Sequence, residues 1–240
     1  MGKICLITGA SGDIGASIAV SFAEGGYELI LHYHHNEEAI KNIKDQLPRD
    51  AVLQTIQADL SSETGIESLC ETLEHTVDTV VFSSGVSQLK LFQDVSDEDM
   101  DMMYNVHVKA PWKVTRHLLP TMIQKKAGNI IVISSIWGDV GASCEVLYST
   151  VKGAQDSFIK SLAKEVGPSG ISVNGIRPGI IETKMNRHLS EEEKQEIIEE
   201  IPVNRMGQVE DIAHTALFLA DDRSSYIQGE LINVTGAWNG

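Results

Sequence analysis

Three side chains in the stretch SSIWGDVGASCEVLYSTVKGAQ, residues 134–155, have types and spacing suited to proton transfer. Tyr148 and Lys152 stand at i and i+4, so on a helix they share one face. Ser135 ends an apolar run thirteen residues before Tyr148, and a loop can fold it back onto that face. A phenol with a pKa near ~10 is a poor acid–base group at neutral pH. An ammonium ~4 Å away is worth ~4 kcal/mol at an effective dielectric of ~20, or ~3 pKa units before desolvation opposes it. The expectation is that Lys152 brings Tyr148 toward the operating pH, where proton transfer is efficient. Ser135 would donate to a carbonyl oxygen as negative charge develops on it. Taken alone, a Tyr-x-x-x-Lys pair is more often a solvated helix face, so the surrounding chain decides.

That chain alternates. Strand-like apolar runs are KICLIT (3–8), ELILHY (28–33), AVLQTIQ (51–57), DTVVFSS (78–84), NIIVISS (129–135), ISVNGI (171–176) and ELINV (230–234). Stretches of helical period separate them at about 14–25, 37–47, 62–75, 97–126, 147–166 and 209–221, with a further short helix at 190–201. Near-continuous apolar strands with helical crossovers predict an α/β fold whose mostly parallel sheet is covered on both faces. No linker, repeat or low-complexity tract interrupts it, so residues 1–240 read as one doubly wound domain with seven strands in one sheet. The first six strands match the two halves of a dinucleotide-binding topology, with ligand at the carboxyl ends of the strands.

The turn TGASGDIG (8–15) supports that topology, because it follows a strand and opens a helix. Gly9 lets the chain turn sharply, Gly15 lets helix approach strand, and the helix start offers unpaired N–H groups to a pyrophosphate. In many NAD-binding folds an acid ends the second strand and holds the ribose 2′-hydroxyl. Here the strand ends LHYHHN, with no acid through Asn36, and His34 or His35 stands ready for a 2′-phosphate. NADP is therefore expected over NAD. ADL (58–60) places Asp59 near the adenine.

Composition narrows the setting. Nineteen basic against thirty-four acidic residues give a net charge of −15, which repels nucleic-acid backbones and welcomes a cationic substrate. No apolar run approaches the ~18–20 residues of a membrane span, and the start MGKICLITGA lacks a signal-peptide pattern. Cys5, Cys70 and Cys144 are an odd count with neither CxxC nor metal-ligand spacing, so no metal is expected. The expectation is a soluble, cytoplasmic protein with reduced thiols.

Together, TGASGDIG, ADL, the serines at 134–135, YSTVK, RPGIIETKM (177–185) and the tail IPVNRMGQVEDIAHTALFLADDRSSYIQGELINVTGAW resemble the classical short-chain dehydrogenase/reductases over essentially the whole chain. The resemblance is greatest to the 3-oxoacyl-acyl-carrier-protein reductase branch, and it implies a single Rossmann domain. It also implies that Gly9, Ala10, Ser11, Gly12, Asp13, Ile14 and Gly15 bind pyrophosphate, that Asp59 and Leu60 flank adenine, and that Ser83 and Gly85 contact the cofactor. Ser135, Tyr148 and Lys152 become the catalytic set, with Lys152 also on the nicotinamide ribose, and Pro178, Gly179, Ile181 and Thr183 bracket the nicotinamide. A homotetramer built through the long helices at 97–126 and 147–166 is implied as well.

Three departures stand out. Gly12 and Asp13 replace the family's basic residue and glycine, so the arginine credited with the 2′-phosphate has no counterpart. FSSG (82–85) replaces NNAG, and the helix asparagine of the catalytic tetrad falls on His107, with Asn105 two positions out of register. His107 would hold the water of a proton relay or fill a helix kink. The block SSIWGDVGASCEVLYS with HV at 107–108 further resembles elongation factor P 5-aminopentanone reductases, which implies a ketone on a modified lysine as substrate. Trp137, Cys144 and Glu145 are then expected to line the pocket, with Glu145 facing an amine or solvent. Lys125 with Lys126 or Arg177 would form a basic patch for an acidic acyl carrier protein. Three classes are weighed: an NADPH-dependent carbonyl reductase, a dinucleotide-binding regulator without catalysis, and a structural subunit paired with an active paralogue.

Overall fold

The computed structural model describes residues 2–187 and 189–240. In chain order its elements are β1 (Ile4–Thr8), α1 (Asp13–Glu24), β2 (Glu28–Tyr33), α2 (Glu37–Gln46), β3 (Val52–Gln57), α3 (Glu63–Thr72) and β4 (Thr79–Phe82). There follow α4 (Asp97–Tyr104), a π-helical turn (Asn105–Lys109), α5 (Ala110–Lys125), β5 (Gly128–Ile133), α6 (Trp137–Val140) and α7 (Val146–Val166). The chain closes with β6 (Ile171–Pro178), α8 (Glu191–Glu200), α9 (Val209–Ala220) and β7 (Leu231–Val234).

The seven strands lie in the order β3-β2-β1-β4-β5-β6-β7, and every pairing is parallel. Side chains alternate across this sheet with the period of two that pleating imposes. Ile7, Leu29, Leu31, Val81, Ile131 and Ile176 face one layer, where α1 and α9 pack. Leu6, Ile30, Ile56, Val80, Ile130 and Val173 face the other, against α3, α5 and α7. Full burial of each such aliphatic side chain stabilises the fold by about 1.5–3 kcal/mol. The order reverses between β1 and β4, and both strands end there, at Thr8 and Phe82. Chain leaves them toward opposite faces, which opens a crevice.

Helix starts are chemically marked. Asn36, Ser62, Ser96 and Ser190 each accept a hydrogen bond from a first-turn N–H, and at Ser96 and Ser190 the N3 carboxylate returns one. The start of α1 differs. Gly12 caps it with no side-chain bond, leaving its first N–H groups for something else.

The long helix expected at 97–126 is interrupted. Residues Asn105–Lys109 form a π turn between α4 and α5, placing His107 inward. The kink that one reading of His107 expected is present here, as a π turn rather than a bend in a continuous α-helix. The four-residue α6 was not expected, and β4 ends at Phe82 rather than at Ser84. Among the described residues no helix is long and apolar enough to cross a membrane.

Candidate active site

β5 ends at Ile133, so Ser134 and Ser135 lie just beyond the strand rather than within it. α6 follows at once and packs on α7. Gly138 permits that contact, because a Cβ there would sit 2.8 Å from the Lys152 carbonyl carbon. The consequence is a fixed relation between the strand-end serine and the helix bearing Tyr148 and Lys152. Ser135 and Tyr148 line one cavity of about 330 Å³, together with Ile136, Trp137, Glu145, Gly179, Leu189 and Trp238. The Trp137 and Trp238 rings meet edge to face, with centroids 5.5 Å apart. Glu145 accepts a hydrogen bond from Ser87 Oγ at 2.8 Å on the cavity wall.

A second cavity, of about 430 Å³, lies over the β1–β4 reversal. Gly9, Ser11, Gly12, His34, Asp59, Leu60, Ser83 and Gly85 line it, as do Ser84, His35 and His32. Gly9 has φ +68° and a Cβ there would meet the Ser84 backbone at 2.7 Å, so only glycine fits the turn. Ser84 Oγ is buried with no partner, whereas Ser83 Oγ donates to Thr8 O at 2.6 Å. A glycine cradle, an uncapped helix start and an orphaned hydroxyl are what a dinucleotide's pyrophosphate requires, so the residues fit that group.

The remaining expected cofactor residues are spread around this crevice. Ala10 is buried, its N–H donating to His32 O, and Ile14 packs against the core. Gly15 lies beneath the Gly9 carbonyl, where a Cβ would clash. Pro178 ends β6, and Ile181 is buried and bridges to Gly207. Asp13 and Thr183 meet at a separate depression, where Lys184 Nζ pairs with Asp13 Oδ1 at 3.0 Å and Lys184 N donates to Asp13 Oδ2 at 2.6 Å. That pair ties the phosphate turn to the segment after β6. His34 and His35 rings stack with centroids 3.3 Å apart, and His34 Nδ1 lies 3.7 Å from Asp59 Oδ1.

His32 supports the phosphate turn from below. Its Nδ1 accepts from Gly9 N–H at 3.1 Å, which leaves Nε2–H to donate to Ala58 O at 3.1 Å. Burial pulls its pKa down to about 4, so the ring is neutral. Only its apolar strand setting was legible in sequence, which concealed this role.

Lys152 corrects the expectation drawn from spacing. The amine is buried and donates to Ile133 O at 2.8 Å and Gln155 Oε1 at 3.1 Å, with Nζ 5.4 Å from the Tyr148 ring centre. Burial lowers its pKa to about 7, with Asp156 acting the other way. Burial likewise pushes the Tyr148 phenol up to about 12, with Ser135 opposing and Glu145 adding. Desolvation disfavours both charged forms and is the largest influence on each. The protein alone does not bring Tyr148 toward neutral pH.

His107 fills the kink rather than reaching the amine with its ring. Its Nε2 faces the main chain of Val86 (N 3.2 Å, O 2.9 Å), and the ring stands edge-on to Tyr148 with centroids 5.6 Å apart. Burial, with Lys152 adding, lowers its pKa to about 3. Its carbonyl accepts from Gln155 Nε2 at 2.7 Å, so the π turn reaches Lys152 through Gln155. Asn105 turns away to donate to Ser61 O at 2.7 Å. The expected basic patch does not form: Arg177 is buried, and Lys125 pairs with Asp78 at 2.7 Å.

A family model described as enoyl-(acyl carrier protein) reductase matches residues 9–239. The chain belongs to the short-chain dehydrogenase/reductase family. It is an oxidoreductase of the 3-oxoacyl-acyl-carrier-protein reductase type. It is 44% identical over 241 residues to the uncharacterized oxidoreductase YmfI of Bacillus subtilis (strain 168), covering 100% of both chains. It is 36% identical over 240 residues to the 3-oxoacyl-[acyl-carrier-protein] reductase FabG of Aquifex aeolicus, covering 98% of this chain and 96% of that one. A solved structure from Beutenbergia cavernae, assigned as an NAD(P)-dependent gluconate 5-dehydrogenase with NADP at low occupancy, superposes with TM-score 0.92. It is 28% identical, and the match covers 99% of this chain and 96% of that one.

Among the described residues two histidines, His32 and His107, are buried, and they set an acid limit. An unfolded imidazole titrates near ~6.5, and these folded rings near 4 and 3, so folding favours their neutral form. Their contribution is complete above pH ~6.5 and is lost as pH falls through that window, at about 1.4 kcal/mol per pH unit for each ring. Urea unfolding between pH 7 and 4.5 should show this slope. His32→Gln, which cannot take up a proton, should flatten it by one ring's share.

Proposed function

We propose that this chain is an NADPH-dependent carbonyl reductase in which Tyr148 is the proton donor, Ser135 holds the carbonyl oxygen and Lys152 assists. The observation that carries this is the convergence of Ser135 and Tyr148 on one cavity, with the glycine cradle likewise at the carboxyl ends of the central strands. NADPH bound along that crevice supplies the hydride that joins the carbonyl carbon. The Tyr148 hydroxyl proton passes to the carbonyl oxygen, giving an alcohol, and the Ser135 hydroxyl stabilises the charge that develops on that oxygen. A phenol at about 12 is a protonated donor at neutral pH, as reduction requires. Gly9–Gly15 would hold the pyrophosphate, Asp59 and Leu60 the adenine, and Pro178, Gly179, Ile181 and Thr183 the nicotinamide side. Lys152 would take the nicotinamide ribose.

For the substrate we propose a ketone carried on an amine-bearing arm, such as the 5-aminopentanone-modified lysine of elongation factor P. Glu145 supports this as the carboxylate on the cavity wall, and the paired tryptophans supply an apolar floor for a methylene chain. A net charge of −15 favours a cationic arm over an acidic carrier protein. The names of the 31–36% identical relatives favour the second reading, 3-oxoacyl-acyl-carrier-protein thioesters. For assembly we propose a homotetramer, with exposed Tyr104, Trp112 and Ile123 on α4 and α5 as an apolar contact face.

Tyr148→Phe should lose about 10²–10⁴ in kcat while NADPH still binds, read by its fluorescence; a near-wild-type rate would reject Tyr148 as donor. NADPH should give a lower KM than NADH, and His34→Ala should narrow the difference. The reverse order in the wild type would overturn the reading of the acid-free second strand. An aminopentanone-bearing protein and an acyl-carrier thioester, compared in one assay, decide the substrate. Glu145→Gln should raise KM for the first and leave the second unchanged.

A further inference from the structure

Behind Lys152 lies a set of buried charges that the reaction so far does not use. Asp156, one turn further along α7, Arg177 on β6 and Ser134 after β5 are all buried. Ser134 Oγ donates to Asp156 Oδ1 at 2.6 Å, and Arg177 Nε and Nη2 both donate to Asp156 Oδ2, at 2.9 and 2.7 Å. Arg177 Nη1 reaches outward to Asp139 Oδ2 at 3.0 Å. A buried ion pair is weak evidence of stability, because an apolar pair of similar volume often serves as well or better. What distinguishes this pair is its position beside Lys152.

Lys152 and Asp156 stand at i and i+4, a spacing at which lysine and carboxylate commonly join directly. They do not join here. Both Asp156 oxygens are occupied by Ser134 and Arg177, while Lys152 Nζ donates to Ile133 O and Gln155 Oε1. Gln155 is itself oriented, since its Nε2 donates to the His107 carbonyl of the π turn. An ammonium has three donors, so these anchors leave one for the Tyr148 side.

We propose that Asp156, clamped by Arg177 and Ser134, is a positioning residue that favours the charged form of Lys152 and is held back from capturing it. Other titratable groups on the elements packed here are Tyr148 on α7 and His107 on the π turn, beside the amine, and Arg177 on β6 and Asp139 on α6, joined to each other. Tyr148 and His107, at about 12 and about 3, are neutral at neutral pH. Arg177 is paired with Asp156 and Asp139, which occupies Asp139 as well. Asp156 is the group that opposes the effect of burial on Lys152. Released from Arg177, the same carboxylate would turn to Lys152 and draw the amine away from the cavity.

This inference rests on Lys152 acting in catalysis, and two variants with opposite signs test it. In cofactor-free protein labelled with 13C at lysine Cε, the Lys152 titration is assigned by its loss in Lys152→Arg. Asp156→Asn should move the midpoint down by about one pH unit or more, and Arg177→Met should move it up. In NADPH-driven ketone reduction, Asp156→Asn should carry the high-pH limb of kcat down by the same amount with KM for the ketone unchanged. Arg177→Met should lower kcat across the pH range. The double variant Asp156→Asn with Arg177→Met removes both members of the ion pair, so neither is left buried without the other, and it carries the test if Asp156→Asn alone does not fold. An unmoved Lys152 midpoint in the folded variants overturns the proposal. So does a failure of both Asp156 variants to fold, which assigns the cluster to the scaffold. A midpoint that moves as expected in a protein whose wild type reduces no ketone leaves the tuning standing and sinks the reductase reading instead.

Discussion

A lysine amine buried without a contacting counterion is the constraint on which the rest of the site depends. Removing a cation from water costs several kcal/mol unless hydrogen bonds or charge replace the solvent. Lys152 obtains two hydrogen bonds, from the β5 carbonyl of Ile133 and from Gln155, and each comes from an element that must be in place first. Ile133 is free to accept because β5 ends there and the chain turns into α6. Gln155 can face the amine because the π turn exposes the His107 carbonyl to its other end. Strand end, helix kink and amine are one cooperative unit, and shifting any of them leaves a buried polar group unpaired.

This explains why so much of the layout was legible and why the local chemistry was not. Period-two and period-3.6 patterns report which face of an element meets the core, and that fixed the seven strands, their crossovers and the parallel sheet. The glycine turn was legible because Gly9 occupies a backbone region closed to other residues. Ser135, Tyr148 and Lys152 were legible through spacing. Their electrostatics were not, because spacing gives proximity and says nothing of desolvation, and desolvation decides the direction here. A kink at His107 was expected from the resemblance, but its π geometry was not, because short apolar segments on either side each keep their own period.

The residues that sequence reasoning missed share a character. His32, Ser84 and Gln155 act through main-chain groups or through an unmet hydrogen-bonding capacity, which no residue pattern records. His32 looked like one more polar interruption in an apolar strand. Its neutral ring joins the Gly9 amide to the Ala58 carbonyl, linking the phosphate turn to the end of β3 across β2. Asn105 does the same for the helix kink by reaching Ser61. The dinucleotide crevice is thus held open by polar bridges between successive βα turns rather than by apolar packing, which would fill it.

The two halves of the crevice are joined differently. Asp13, at the start of α1, pairs with Lys184 in the segment after β6, at a site where both side chains are partly solvated. Such a pair contributes about 0–1 kcal/mol and is easily remade. Beside Lys152, by contrast, Asp156 of α7 and Arg177 of β6 form a buried pair that is expensive to break. The buried contacts beside Lys152 are therefore costly to disturb, whereas the Asp13–Lys184 contact is not. Gly12 leaves the phosphate turn without the family's basic residue, and Asp13, in place of the family's glycine, adds a carboxylate next to it. That carboxylate takes Lys184 of the segment after β6 as its partner, so two turns far apart in sequence are tied by one partly solvated pair.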